Sequence, residues 1–147
     1  MSDLTTPELV PASAEDIDFL LQLRMETMDQ QLVSHGVELS AEQHLERVEH
    51  ELSNCFLIVA GGQKIGAVKF VTCDSSLEIL QLQIKPGNQG KGYATIVLNE
   101  LIAKARGAER SMKLSVLKQS PALRLYRRLG FRVIGEDGHE YQMLMPA

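Results

Sequence analysis

Cysteine is scarce in this chain: Cys55 and Cys73 form neither a CxxC pair nor the framework of a secreted disulfide scaffold. That scarcity points to a reducing compartment, the cytoplasm. No apolar run approaches the length of a membrane span. The opening residues, Met1-Ser2-Asp3-Leu4, lack the basic and then apolar stretches of a secretory leader, so none is expected. An excess of basic charge is also missing, with fifteen Lys and Arg against nineteen Asp and Glu. Non-specific nucleic-acid binding draws its affinity from neutralised phosphates, so the net charge of -4 argues against that class but leaves room for a local basic pocket. No repeat, low-complexity block or Pro/Gly/Ser linker divides the sequence. What remains is 147 residues, 44% hydrophobic and 23% charged, the profile of one globular domain spanning 1–147. Neither a membrane nor a nucleic acid is expected as a partner.

Periodicity orders the chain. Leu4, Leu9 and Val10 suggest a short opening strand. Ser13 offers an N-cap with Glu15 and Asp16 behind it, and Ile17, Leu20, Leu21 and Met28 fall on one helical stripe. Ser40-Ala41-Glu42-Gln43 is a capping-box pattern ahead of Leu45, Val48 and Leu52, with Ser34-His35-Gly36 in the connection between the two helices. Residues 55–60 read as a strand ending at the hairpin signal Gly61-Gly62, 65–71 as its return, and 77–84 as a third strand stopped by Pro86-Gly87. Ala94, Val97, Leu98, Leu101, Ile102 and Ala105 then fit a helix, with Gly107 where a C-cap belongs. A strand over 112–116 follows, then a helix opened by Ser120-Pro121 and closed before Gly130, then strands at 131–135 and 140–145. The order β-α-α-β-β-β-α-β-α-β-β predicts an α/β (α+β) mixed sheet with flanking helices.

The segment Gln89-Gly90-Lys91-Gly92-Tyr93-Ala94 lies between a strand and the long helix. A helix N-terminus carries unpaired N–H groups and a partial positive charge, which suits an anion. Glycines at 90 and 92 remove the Cβ atoms that would hold phosphate oxygens off the backbone, and Lys91 adds charge. A glycine turn that is structural only is the plain alternative. The dinucleotide fingerprint fails because Thr95 stands at its last glycine or alanine position, and Walker A fails at Lys85 and Gly92.

What is left, Gln-x-x-Gly-x-Ala over Gln89–Ala94, resembles the Arg/Gln-x-x-Gly-x-Gly/Ala signature of the GNAT superfamily of acyl-CoA-dependent N-acyltransferases. Leu80-Gln81-Leu82-Gln83-Ile84-Lys85-Pro86 looks like the strand leading into that signature. Val116 to Ala122 with Leu125-Tyr126-Arg127-Arg128-Leu129-Gly130-Phe131 is similar to the family's second half, so the resemblance covers nearly the whole chain. It departs at Ser120, which stands where many members carry a pantetheine-contacting asparagine and has a shorter reach. The resemblance implies a GNAT fold and acetyl-CoA as co-substrate. It implies that backbone amides of Gly90, Lys91, Gly92, Tyr93, Ala94 and Thr95, with Gln89, meet the pyrophosphate, and that the pantetheine runs beside Leu82, Gln83 and Ile84 toward Ser120. It places the carbonyl-polarising N–H at Leu82.

Acetyl transfer from a thioester to an amine needs a proton acceptor for the amine, a donor for the carbonyl oxygen and a proton for the departing thiolate. On a strand Glu78, Leu80, Leu82 and Ile84 share a face, one carboxylate in line with three aliphatics, and partial desolvation would suit Glu78 to the base. The opposing view is a solvated acid near a strand end. Tyr126 is implied by the resemblance as general acid; otherwise it is a core tyrosine packed with Ala122 and Leu125.

Other residues carry less. His44 and His50 are badly spaced for a shared metal, and His35 and His139 read as surface histidines. Cys73 has no neighbouring His or Lys to activate it. Met25 and Met28 are more often core filling than pocket lining. Lys91, Arg124, Arg127 and Arg128 are candidates for the 3′-phosphate of CoA or a solvated face. No metal is expected. The resulting expectation is an N-acetyltransferase acting on a primary amine of a small molecule by direct transfer. Alternatives are a protein N-terminal or lysine acetyltransferase, and an acyl-CoA sensor without turnover. Net acidity is compatible with a cationic acceptor. Alternation of Tyr141, Met143 and Met145 on an exposed last strand points to a homodimer.

Overall fold

Residues 6–27, 40–50 and 52–147 are described by the structure, a computed structural model. Leu4, Met28 and the Ser34-His35-Gly36 connection lie outside them. The elements follow the expected mixed α/β order: β1 (Glu8–Pro11), α1 (Ile17–Thr27), α2 (Ala41–His50), β2 (Cys55–Ala60), β3 (Gln63–Thr72), β4 (Ser76–Ile84), α3 (Tyr93–Gly107), β5 (Ser111–Leu117), α4 (Ala122–Leu129), β6 (Arg132–Glu136) and β7 (Glu140–Met145). Single 3-10 turns at Ala14–Asp16 and Leu52–Asn54 precede α1 and β2. Among the described residues, no helix is long and apolar enough to cross a membrane.

The chain forms two compact units, one from residues 1–69 and 81–97, the other from 70–80 and 98–147. In the first, strands neighbour one another in the order β1-β2-β3-β4. Gly61 and Gly62, with φ of 58° and 77°, turn the β2–β3 hairpin in the conformation that matches strand twist. Leu20 and Leu23 of α1 and Val48 of α2 pack with Cys55, Leu57 and Ala67. Full burial of each such aliphatic chain contributes about 1.5–3 kcal/mol. The α1 stripe is rotated from expectation: Leu20, Leu23 and Arg24 are buried, while Ile17 and Leu21 are half-buried and Met25 is exposed. The capping box of α2 is reciprocal, Ser40 N–H donating to Gln43 Oε1 at 2.8 Å and Gln43 N–H to Ser40 Oγ at 3.2 Å.

In the second unit the order is β4-β5-β7-β6. Strands β4 and β5 pair in parallel, Ser76 to Ile79 against Ser111 to Leu114. Met112, Leu114 and Val116 are buried while Lys113 and Ser115 are exposed, the alternation of a sheet with one covered face. Strand β7 pairs antiparallel with both β5 and β6. It is therefore no edge strand, and Met143 and Met145 are core residues. The expected pairing surface for a second copy falls away with that, because hydrogen bonding to β6 consumes it. Gly107 is not the C-cap of α3 either. Gly107 is the last helical residue, and the left-handed position falls two residues on at Glu109, which takes φ 55° while Arg110 N–H reaches the Ala105 carbonyl at 2.8 Å and Glu109 N–H that of Arg106 at 3.0 Å. This is a Schellman ending with glutamate in the left-handed position. Helix α4 ends the same way with Gly130, φ 114°, as the sequence predicts.

Candidate active site

Strand β4 hands over to α3 through a loop that its residues dictate turn by turn. Lys85-Pro86-Gly87-Asn88 is a type II turn, with Gly87 at φ 94° and Asn88 N–H donating to the Lys85 carbonyl at 2.9 Å. Gln89 Nε2 donates to the Ile84 carbonyl at 2.8 Å, pinning the loop to the strand end. Gly90 and Gly92 take φ of 75° and 92°, which side chains with a Cβ rarely adopt. A Cβ added at Gly90 would meet nothing within 4 Å among the described residues beyond its chain neighbours. Helix α3 then opens with no acid in its first turn, and Ile96 N–H donates to the Gly92 carbonyl at 3.1 Å. The preceding amides, at Tyr93, Ala94 and Thr95, have no acceptor within the helix. A glycine cradle followed by these amides and the positive end of a helix dipole fits a phosphate. Lys91 is exposed beside it.

The residues before the loop divide by direction. A Cβ on Gly66 of β3 would overlap the Gln83 carbonyl, so the backbone of Gln83 is turned toward β3. Strand alternation turns the Leu82 and Ile84 amides to the other edge of β4. Leu82 is half-buried, and Ile84 and Gln83 are buried. The first unit thus holds Leu82, Gln83, Ile84 and the Gln89–Thr95 cradle.

The second unit holds Glu78, Ser120 and Tyr126. Glu78 is half-buried and lies opposite Lys113 in the β4–β5 register. Its companion Leu80 is 36% exposed, so the aliphatic line expected around the carboxylate is open at its nearest member. Tyr126 is buried on α4, its ring edge-on to Phe131 with centroids 5.9 Å apart. Burial pushes the phenol up from 10.0 to about 12, because the phenolate would lose its hydration, so the hydroxyl keeps its proton at neutral pH. Ser120 Oγ accepts the Ala122 N–H at 3.2 Å, the capping role expected of it, with Pro121 as the residue between cap and helix. Arg124, Arg127 and Arg128 are exposed on α4. Cys73 and His139 are exposed as well.

One polar group escaped the sequence reading. Arg24, His44, Lys69 and Gln83 are all buried in the first unit, and Arg24 Nε donates to His44 Nδ1 at 3.0 Å. Arg24, Lys69, Gln81 and Gln83 line a single small cavity. Gln83 Nε2 has no hydrogen-bond partner among the described residues, a condition that costs a buried amide about 1–3 kcal/mol. The signal was available: Arg24 and His44 occupy positions on the apolar stripes of α1 and α2, and Gln81 and Gln83 continue the buried face of Leu77 and Ile79.

The structure thus sets a glycine-rich loop between a strand and the start of a long helix in a mixed α/β fold. Residues 51–133 match the family described as the acetyltransferase (GNAT) domain. This chain belongs to that family. It is 31% identical over 78 residues to streptothricin acetyltransferase of Streptomyces lavendulae, a match that covers 52% of this chain and 41% of that protein. The matching part thus spans less than half the length of that relative. Among solved structures it is similar to an acetyltransferase from Thermus thermophilus, with a TM-score of 0.78 at 19% identity over 97% of both chains. It is also similar to PaiA N-acetyltransferase from Thermoplasma acidophilum, solved in complex with coenzyme A, with a TM-score of 0.74 at 22% identity over all of both chains.

Proposed function

We propose that this protein transfers an acetyl group from acetyl-CoA directly to a primary amine of a small molecule. The observation that carries the reading is the cradle: glycines at 87, 90 and 92 with positive φ, space at Gly90 that no described residue fills, and the amides of Tyr93 to Thr95, which have no acceptor within the helix. In this reading those amides hold the pyrophosphate. Leu82 N–H, at the edge of β4 turned away from β3, stabilises the carbonyl oxygen as it gains charge. As the new C–N bond forms and the C–S bond breaks, Glu78 takes the amine proton and the Tyr126 hydroxyl supplies one to the thiolate. The similarity to streptothricin acetyltransferase supports a small-molecule acceptor over a protein one.

Release of free thiol from acetyl-CoA across a panel of amines tests the activity, and calorimetry with CoA tests the cradle. Amine-dependent thiol release is expected, together with CoA binding that Gly92→Val abolishes, since valine is strained at φ 92° and would crowd the phosphate. Binding without thiol release for any small or peptide amine would leave a sensor in place of an enzyme. Unchanged CoA affinity in Gly92→Val would remove the cradle assignment.

A further inference from the structure

Strand register lines up a row of side chains across the second unit. Glu78 of β4 lies opposite Lys113 of β5, Lys113 opposite Leu144 of β7, and Leu144 opposite Arg132 of β6. Directly paired residues project from the same side of a sheet, so all four share one face. Burial shows which face it is. Met112, Leu114, Met143 and Met145, the alternating neighbours, are buried on the opposite side, whereas Lys113 and Arg132 are exposed and Glu78 and Leu144 half-buried. Neighbouring strands stand about 4.8 Å apart, so Lys113 is one spacing from Glu78, and the two cations flank Leu144 about 10 Å from each other. Their methylene stems can lie along the leucine while the charged heads meet above it.

Charge on this row is unbalanced. Among the described residues neither Lys113 nor Arg132 makes an ion pair, although Glu78 stands beside Lys113. The next row on the face, Ser115, Gln142 and Gly135, carries no charge. Glu136 is engaged by Lys118 at 3.4 Å. Glu140 is four residues from Leu144, about 13 Å along the strand. An acceptor lying on this row with its amine at Glu78 therefore meets two positive charges beyond it. A second ammonium is repelled there, while an oxyanion is attracted by both cations and can accept from Lys113 Nζ and the Arg132 guanidinium.

We propose that Lys113 and Arg132 form a specificity site for an oxyanion of the acceptor, so that the substrate is a primary amine with a carboxylate or phosphate about 10 Å from its nitrogen, two strand spacings from Glu78. The proposal rests on the acetyltransferase reading and names its acceptor class. It selects against the polycationic acceptors with which net acidity is compatible.

Matched acceptors of graded length test it: ω-amino carboxylates, aminoalkyl phosphates, amino alcohols and diamines. Each is assayed for thiol release with the wild type and two double variants, Lys113→Met with Arg132→Met and Lys113→Glu with Arg132→Glu. Both positions are exposed, so the variants should fold, and their melting curves check this. The wild type should favour the best oxyanion-bearing amine over the diamine of equal length by about 10-fold in kcat/KM, a preference that shrinks as salt is raised. The methionine pair should bring that ratio near one through KM, and the glutamate pair should invert it, with CoA affinity in calorimetry unchanged. The stronger of the carboxylate and phosphate arms names the oxyanion. Equal or better use of diamines by the wild type would overturn the proposal, as would a preference that survives charge reversal. A binding arm separates this failure from failure of the parent reading. Backbone amide resonances of Lys113 and Leu144 should shift on titration with the N-acetylated acids but not with N-acetylated amino alcohols, whether or not any amine is turned over. Thiol release with diamines and no such shift would remove the oxyanion site and leave the acetyltransferase. Shifts without thiol release from any amine would remove the enzyme and leave the site.

Discussion

Arg24 on α1 and His44 on α2 meet inside the first unit, the Arg24 Nε–H donating to His44 Nδ1 at 3.0 Å with 2% and 1% of the two residues exposed. The bond fastens two helices that also pack through Leu20, Leu23 and Val48, and it requires His44 to present Nδ1 without a proton. His44→Leu removes an acceptor from a buried guanidinium. The expected loss is about 2–4 kcal/mol, read as a lower urea midpoint at constant slope. Arg24→Met with His44→Leu should lose less than the sum of the single variants, because both changes remove the same hydrogen bond. Additive losses would show that the two residues act separately.

Glu109 and Gly130 end their helices with the same hydrogen bonds, yet only one is a glycine. A side chain in the left-handed region costs about 1 kcal/mol. Glu109→Gly should therefore raise the melting temperature, while Gly130→Ala should lower it, with a further contribution because its Cβ would sit 3.4 Å from Met145 Cε. A Glu109→Gly variant that melts earlier would mean that the glutamate side chain stabilises the turn by more than the strain costs.

The sequence disclosed what local chemistry decides. Gly61-Gly62, Pro86-Gly87 and Gly130 announced turns through conformations few other residues adopt, and Ser40 with Gln43 announced a cap through complementary hydrogen bonds. The glycine turns at Gly90 and Gly92 were legible for the same reason. Errors came where tertiary partners decide. Whether Gly107 or Glu109 ends α3 depends on which carbonyl Arg110 can reach, and Tyr141, Met143 and Met145 looked like an edge because nothing in their alternation reveals that β6 pairs outside them. Arg24 and Lys69 were passed over because charge predicts exposure, and His44 and Gln83 were read without the buried cluster they belong to. Only packing reveals that their positions face inward.

Asp16 offers a test by pH. Lys64 Nζ lies 2.8 Å from its Oδ1, and Ser13 donates its backbone N–H to Oδ2 at 2.9 Å. The Lys64 hydrogen bond, followed by that of Ser13, holds the carboxyl below its ordinary 3.8. A lowered carboxylate stabilises the fold above its unfolded value and ceases to do so as pH falls through the folded one. Wild type should exceed Asp16→Asn in urea midpoint at neutral pH, and the gap should close as the solution is acidified below 3.8. A gap that stays constant into acid would assign the difference to packing.

Tyr126 should matter to chemistry more than to binding. Its hydroxyl sits on a buried ring against Phe131, and desolvation raises its pKa from 10.0 to about 12. The sign follows: the neutral phenol's contribution to stability is whole below 10.0 and fades only as pH climbs through about 12. A proton donor is thus in place at every pH where the enzyme would work. Tyr126→Phe keeps the ring and its packing, so folding and CoA affinity should hold while kcat falls by about 10- to 1000-fold, the loss expected when one transition-state proton donor is removed. Because the wild-type hydroxyl does not titrate in the range, the two pH–rate profiles should run parallel from neutral pH up to 10.0, separated by a constant factor. Any shared basic or acidic limb then belongs to other groups. Profiles that converge with rising pH would mean the hydroxyl loses its proton within that range. Equal kcat in the two proteins would return Tyr126 to the role of a core residue and leave the thiolate to water.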